Sequence, residues 1–157
     1  MNNPLSALRP SATDMIRMDH THVNSTFHRY KAETDPKTKQ ALANMICLAL
    51  DVHAKLEEEI FYPAFRGKIE DDTLDEAYVE HDGAKLLVND IEAGSPDDDF
   101  YDAKVKVLSE EIKHHVHEEE AQKEGMFAQC RKTDVDLVAL RDAMLARKEE
   151  LMAQAKA

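Results

Sequence analysis

Apolar residues recur along this chain at three- and four-residue intervals, the period of helices that bury one face. Ile16, Val23, Phe27 and Tyr30 make the first stripe, which starts after Ser11 or Thr13 and runs out near Ala32. Asp35-Pro36 then reads as a helix start, a polar cap followed by Pro at the first position. The second stripe, Leu42, Ile46, Ala49, Leu56 and Ile60, runs to about Tyr62, where Pro63 is expected to stop it. A third helix opens at Asp71 or Asp72 and carries Leu74, Tyr78, Val88 and Ile91. Gly94 is expected to end it in the left-handed conformation. Ser95-Pro96 with Asp97, Asp98 and Asp99 is the strongest helix start in the chain. It leads into a fourth stripe, Tyr101, Val105, Leu108, Ile112 and Val116. Thr133-Asp134-Val135-Asp136 resembles a capping box and precedes a fifth amphipathic helix with Leu137, Leu140, Met144 and Leu151.

No segment alternates with the period of a strand, and 4 Gly and 5 Pro are too few for an all-β protein rich in turns. The expected fold is all-α: an up-down-up-down four-helix bundle with an additional C-terminal helix on its outside. Residues 1–11, with Pro4 and Pro10, are expected to form an irregular arm, and residues 12–157 the bundle.

Histidine placement changes the picture. On the four long stripes, His20 continues Ile16 and Val23, and His53 continues Ile46, Ala49 and Leu56. His81 continues Leu74 and Tyr78, and His115 continues Leu108 and Ile112. Each long helix thus turns one imidazole toward the common core. Glu57 and Glu119 follow His53 and His115 by four residues, so each lies on the same helix face as its histidine. A lone carboxylate in a low-dielectric core is costly, and cations between the helices would remove that cost. Carboxylates bridge metal pairs, and imidazole suits iron, zinc and copper. The run His114-His115-Val116-His117-Glu118-Glu119-Glu120 offers two registers, His114/Glu118 and His115/Glu119, of which periodicity favours the second. His22, His28, His114 and His117 fall off the stripes and read as surface or peripheral groups, as do most of Glu58, Glu59, Glu118 and Glu120.

Composition removes several classes. A net charge of −12 argues against non-specific nucleic-acid binding and against anionic membrane surfaces, which both need a positive field. The longest apolar run, Met45 to Leu50, is far too short to span a bilayer. The first 30 residues hold no signal-type apolar stretch, so a cytoplasmic location is expected. Cys47 and Cys130 are then expected as free thiols.

Taken in order, Asp19-His20-Thr21-His22-Val23 with Phe27, the run from His53 to Pro63, Glu80-His81 and His115 to Glu120 resemble the hemerythrin-like, HHE cation-binding family. The tail from Phe127 to Leu151 is similar too, and the resemblance covers residues 14 to 150. It implies two non-haem iron ions in the bundle core, joined by an oxo or hydroxo group. Carried over, the ligands would be His20, His53, Glu57, His81, His115 and Glu119, with the two glutamates bridging. Pro63, ten residues after His53, follows the family pattern. Two features depart from it. After Glu120 there is no such Pro, and Phe127 comes later than the second-helix pattern predicts. Oxygen-carrying hemerythrins have another His four residues from the first on the third helix, whereas Ala77 and Lys85 stand there. One iron would then have fewer protein ligands and an open position for dioxygen, peroxide or nitric oxide. Tyr30 and Tyr78 lie on core faces and read as packing residues with a polar tip.

The functional expectation is a di-iron protein that binds or senses dioxygen, nitric oxide, peroxide or iron. The alternatives are a di-iron peroxidase or catalase-like enzyme, and a structural bundle that holds zinc or no metal.

Overall fold

The computed structural model describes residues 10–156, so the expected arm lies almost wholly outside the described residues. Helix α1 spans Ala12–Arg29. Its start is a capping box: the Ser11 hydroxyl accepts from the Asp14 N–H while the Asp14 carboxylate accepts from the Ser11 N–H. Helix α2 spans Pro36–Leu56, capped by Asp35, which accepts from the Thr38 N–H at 3.1 Å. A π-helical turn, Glu57–Phe61, and a short helix α3, Tyr62–Phe65, continue it. Then come α4 (Asp71–Ala93), α5 (Tyr101–Glu120), α6 (Met126–Arg131) and α7 (Leu137–Lys156). No strand occurs among the described residues.

Three punctuation marks act differently from the sequence expectation. Pro63 does not stop the second helix; it sits in the first turn of α3, where its missing N–H is tolerated after the wider π turn. Ser95 to Asp99 form turns instead of a helix start. The Asp98 carboxylate accepts from the Ser95 N–H at 2.8 Å, a local bond that competes with helix formation, and α5 begins only at Tyr101. Gly94 is extended, with φ −102° and ψ −172°, rather than left-handed. A side chain there would press on Asp98 and on the Asp90 carbonyl. In the fifth element Asp136 alone is the cap, accepting from the N–H groups of Val138 and Ala139.

Helices α1, α2, α4 and α5 form a closed ring in which each packs on the next and α5 returns to α1. Helix α7 lies outside against α1 and α2, and buries Met144 and Leu151. The apolar core has two parts. One gathers Ile16, Leu56, Phe61, Phe65, Leu74 and Phe127. The other gathers Val23, Ile46, Leu50, Val88, Val105 and Leu108. Each such side chain contributes about 1.5–3 kcal/mol by leaving water. Along α1 the chain passes from Ile16 in the first part to Val23 in the second, and His20 lies between; His53 stands likewise between Leu50 and Leu56. The polar layer therefore sits across the middle of the bundle. Cys47 and Cys130 are free and buried, and burial pushes both thiols up to about 12, so neither is reactive. No described helix is long and apolar enough to cross a membrane.

Candidate metal centre

All six residues singled out from the stripes meet in this layer. His20, His53, Glu57 and Glu119 are buried, and each offers a donor atom within 4.8 Å of the others; Glu57, His81 and His115 form a second such group. The Nε2 atoms of His20 and His53 face one another at 3.2 Å, as do those of His81 and His115. Two carboxylates tie the pairs together. Glu57 touches His53 and reaches His81 Nε2 at 3.7 Å. Glu119 lies 2.6 Å from His115 Nε2 and 3.6 Å from His20 Nε2. Glu57 is 0% and Glu119 1% exposed, yet neither oxygen of either carboxylate accepts an aligned hydrogen bond. A buried acceptor without a partner costs about 1–3 kcal/mol, and a charged one more. Four inward imidazole nitrogens and four such oxygens make a donor set that could hold a first-row cation.

Each outer nitrogen also faces a carboxylate, but among the described residues only His115 Nδ1 makes a hydrogen bond, to Glu80, and the Nδ1 atoms of His20 and His81 have no aligned partner. Asp19 lies 3.7 Å from His53 Nδ1, and Glu58 lies 3.6 Å from His81 Nδ1. Glu80 pairs with His115 Nδ1 at 2.9 Å, and Glu120 lies 3.4 Å from His20 Nδ1. The four carboxylates form a cycle: α1 serves the histidine of α2, the π turn serves α4, α4 serves α5, and α5 serves α1. The Glu80 carboxylate, hydrogen-bonded to Nδ1, fixes the tautomer of the His115 imidazole and raises its basicity. Lys148 of α7 in turn holds Asp19 at 2.8 Å. Within the group expected to be mostly solvated, Glu58 and Glu120 are half-buried and face histidines. Each of the four stands next to a site residue in sequence, which is the one signal that marks them.

The fourth-helix register is resolved by burial: His115 and Glu119 face the core, while His114 and Glu118 lie outside. His22, His28 and His117 are exposed, as expected. Another side chain that the stripes did not place at the layer is Tyr62. Its hydroxyl is 3.3 Å from His81 Nε2 and 3.4 Å from His115 Nε2. Tyr30 instead donates to Asp102 at 2.6 Å, and Tyr78 to the Glu58 carbonyl at 3.4 Å. The π turn explains the surprise. In an α-helix, residues five apart sit about 140° apart around the axis. The Tyr62 N–H bonds to the Glu57 carbonyl, an i→i+5 closure that brings both side chains toward the same layer. Phe127, displaced in sequence, stacks on His20 with ring centres 6.1 Å apart from its place in α6.

The buried imidazoles and carboxylates shift one another's proton affinity. Burial opposes a charged His53, but Glu57 and Asp19 outweigh it and carry the imidazole up to about 10. Burial likewise opposes charge on His115, which Glu119 and Glu80 nevertheless hold well above its ordinary value. Glu57 is held well below the carboxylate range because His53 and His81 overcome its burial. Burial, reinforced by Glu119 and Glu57, keeps the Tyr62 phenol well above its ordinary value. Cations and protons would compete for the same nitrogens.

Residues 11–127 match the hemerythrin HHE cation binding domain. The chain belongs to that family. A hemerythrin HHE cation binding domain-containing protein from Mycobacterium kansasii shares the fold, with a TM-score of 0.73 at 17% identity over 92% of this chain and 89% of that one. A protein of Nostoc sp. (strain PCC 7120 / SAG 25.82 / UTEX 2576) named DNA nickase is 34% identical over 108 residues. The match takes in 69% of this HHE chain but only 31% of that relative's length.

Proposed function

We propose that this HHE protein holds two non-haem iron ions and binds a small oxidant or diatomic molecule beside them. The observation that carries the reading is the set of unpartnered oxygens on Glu57 and Glu119 among four converging imidazoles. His20 and His53 would hold one ion and His81 and His115 the other, with both glutamates shared. Bound there, iron supplies reversible one-electron chemistry toward dioxygen, nitric oxide or peroxide. A cavity of about 80 Å³ borders the histidines, with Val23, Leu50, Ala84, Val88 and Ile112 among its walls. That volume suits a diatomic molecule or peroxide and is well below the roughly 300 Å³ of a typical organic-ligand pocket. DNA nicking is not carried over from the cyanobacterial relative, because a net charge of −12 gives no general attraction to a phosphate backbone.

Tyr62 favours a second reading, peroxide turnover. Its phenol stays protonated beside the His81/His115 pair and can place a proton at its Oη atom. The test is iron-loaded protein prepared without air, followed by absorption spectroscopy as air, nitric oxide or peroxide is added. The binding reading expects the absorption of an oxidised di-iron centre, with little oxygen evolved from peroxide. Sustained oxygen evolution establishes the enzymatic reading instead, and no spectral change with any of the three overturns both.

A further inference from the structure

The unused register of the fourth helix makes a second constellation. His114 and Glu118 repeat the His-x-x-x-Glu spacing of His115 and Glu119 one residue earlier, so they project from the outside of α5. His114 Nε2 lies 3.0 Å from a Glu118 oxygen. Glu80 of α4 supplies a third donor, and the three donor atoms fall within 4.8 Å of one another. Glu80 is not a freely moving surface acid, because its carboxylate is anchored on His115 Nδ1 at 2.9 Å. Among the described residues no Lys or Arg pairs with Glu80 or Glu118.

The surroundings give the cluster a direction. A cleft of about 300 Å³ has the acids Glu76, Glu118 and Glu124 in its walls and also reaches His115 and Glu119 of the core. Glu118 belongs both to the outer cluster and to this cleft. Carboxylates around a low-dielectric cleft concentrate cations and speed their arrival.

We propose that Glu80, His114 and Glu118 form an outer site for a divalent first-row cation, Fe(II) in particular, which feeds the core through the acidic cleft. One imidazole and two carboxylates suit such an ion, which keeps water in its remaining positions and can leave again. The role in feeding rests on the core reading proposed above, while the outer site stands on its own donors.

The test uses the full chain, stripped of metal and titrated with Fe(II) without air. Wild type, His53→Ala and the double variant His114→Ala/Glu118→Gln are compared. The wild type is expected to show a weaker class of bound ion besides the tight ones. The double variant should lose the weak class, keep the tight one at full occupancy, and fill it about tenfold more slowly. His53→Ala should lose tight binding and keep the weak class. Absence of a His114-dependent ion in the wild type overturns the outer site, and an unchanged filling rate in the double variant overturns its role in feeding. Full tight binding in His53→Ala would instead contradict the core assignment, leaving the outer site to be judged by the double variant.

Discussion

Two polar clusters in this bundle treat charge in opposite ways. At the α2/α5 contact, Lys39 is only 7% exposed, but its ammonium meets Asp102 at 2.9 Å and Asp102 also accepts from Tyr30. Every charge there is answered by a protein group. In the central layer, Glu57 and Glu119 are buried more deeply, and their oxygens have no aligned donor. The first cluster shows that the fold can satisfy a buried charge when the role is structural. In the second, six side chains from α1, α2, the π turn, α4 and α5 converge into clusters that could hold metal.

The largest expected effect comes from removing a shared carboxylate. Glu57→Ala should cut tightly bound iron to under about a tenth of the wild-type content, since both ions lose a ligand. His22→Ala, on the exposed side of α1, should leave it unchanged; elemental analysis of both proteins decides the matter. Next in size is metal removal. The stripped bundle should melt about 10 °C lower by calorimetry, because cations that bind only the folded state stabilise it. An unchanged melting curve on adding Fe(II) would place the central layer in the same class as the Lys39 cluster. Tyr62→Phe should be smaller and one-sided, weakening one of the two ions about tenfold and sparing the other in an anaerobic titration.

The smallest effect belongs to the satisfied cluster. Asp102→Asn should cost about 1 kcal/mol in urea unfolding, because solvent screens the half-exposed carboxylate, and should not alter iron content. The pH dependence has a definite sign. Lys39 and Tyr30 lower the folded value of Asp102, so its stabilisation is complete above the ordinary carboxylate range and fades as pH falls through the lowered value. The variant should lack that share of the acid-side loss.

The sequence revealed the central layer because a helix period is rigid. His20, His53, His81 and His115 lie on apolar stripes, and +4 spacing put Glu57 and Glu119 on the same faces. That logic failed where the backbone left the period. Tyr62 reaches the layer only through the π turn, and Pro63 survives inside the helical run for the same reason. Asp97 to Asp99 read as helix caps, but a side-chain bond from Asp98 made a turn of them. The place of Asp19, Glu58, Glu80 and Glu120 beside the histidines could not be read from the stripes, because each lies off the core face of its own segment and faces a histidine of a neighbouring helix. Such relations depend on how helices pack, which a single stripe does not encode.

The most direct measurement is the iron content of the full chain after anaerobic reconstitution and removal of weakly held metal. The account predicts about two tightly held iron atoms per chain. Fewer than about one, with the protein folded, would contradict a shared-carboxylate centre.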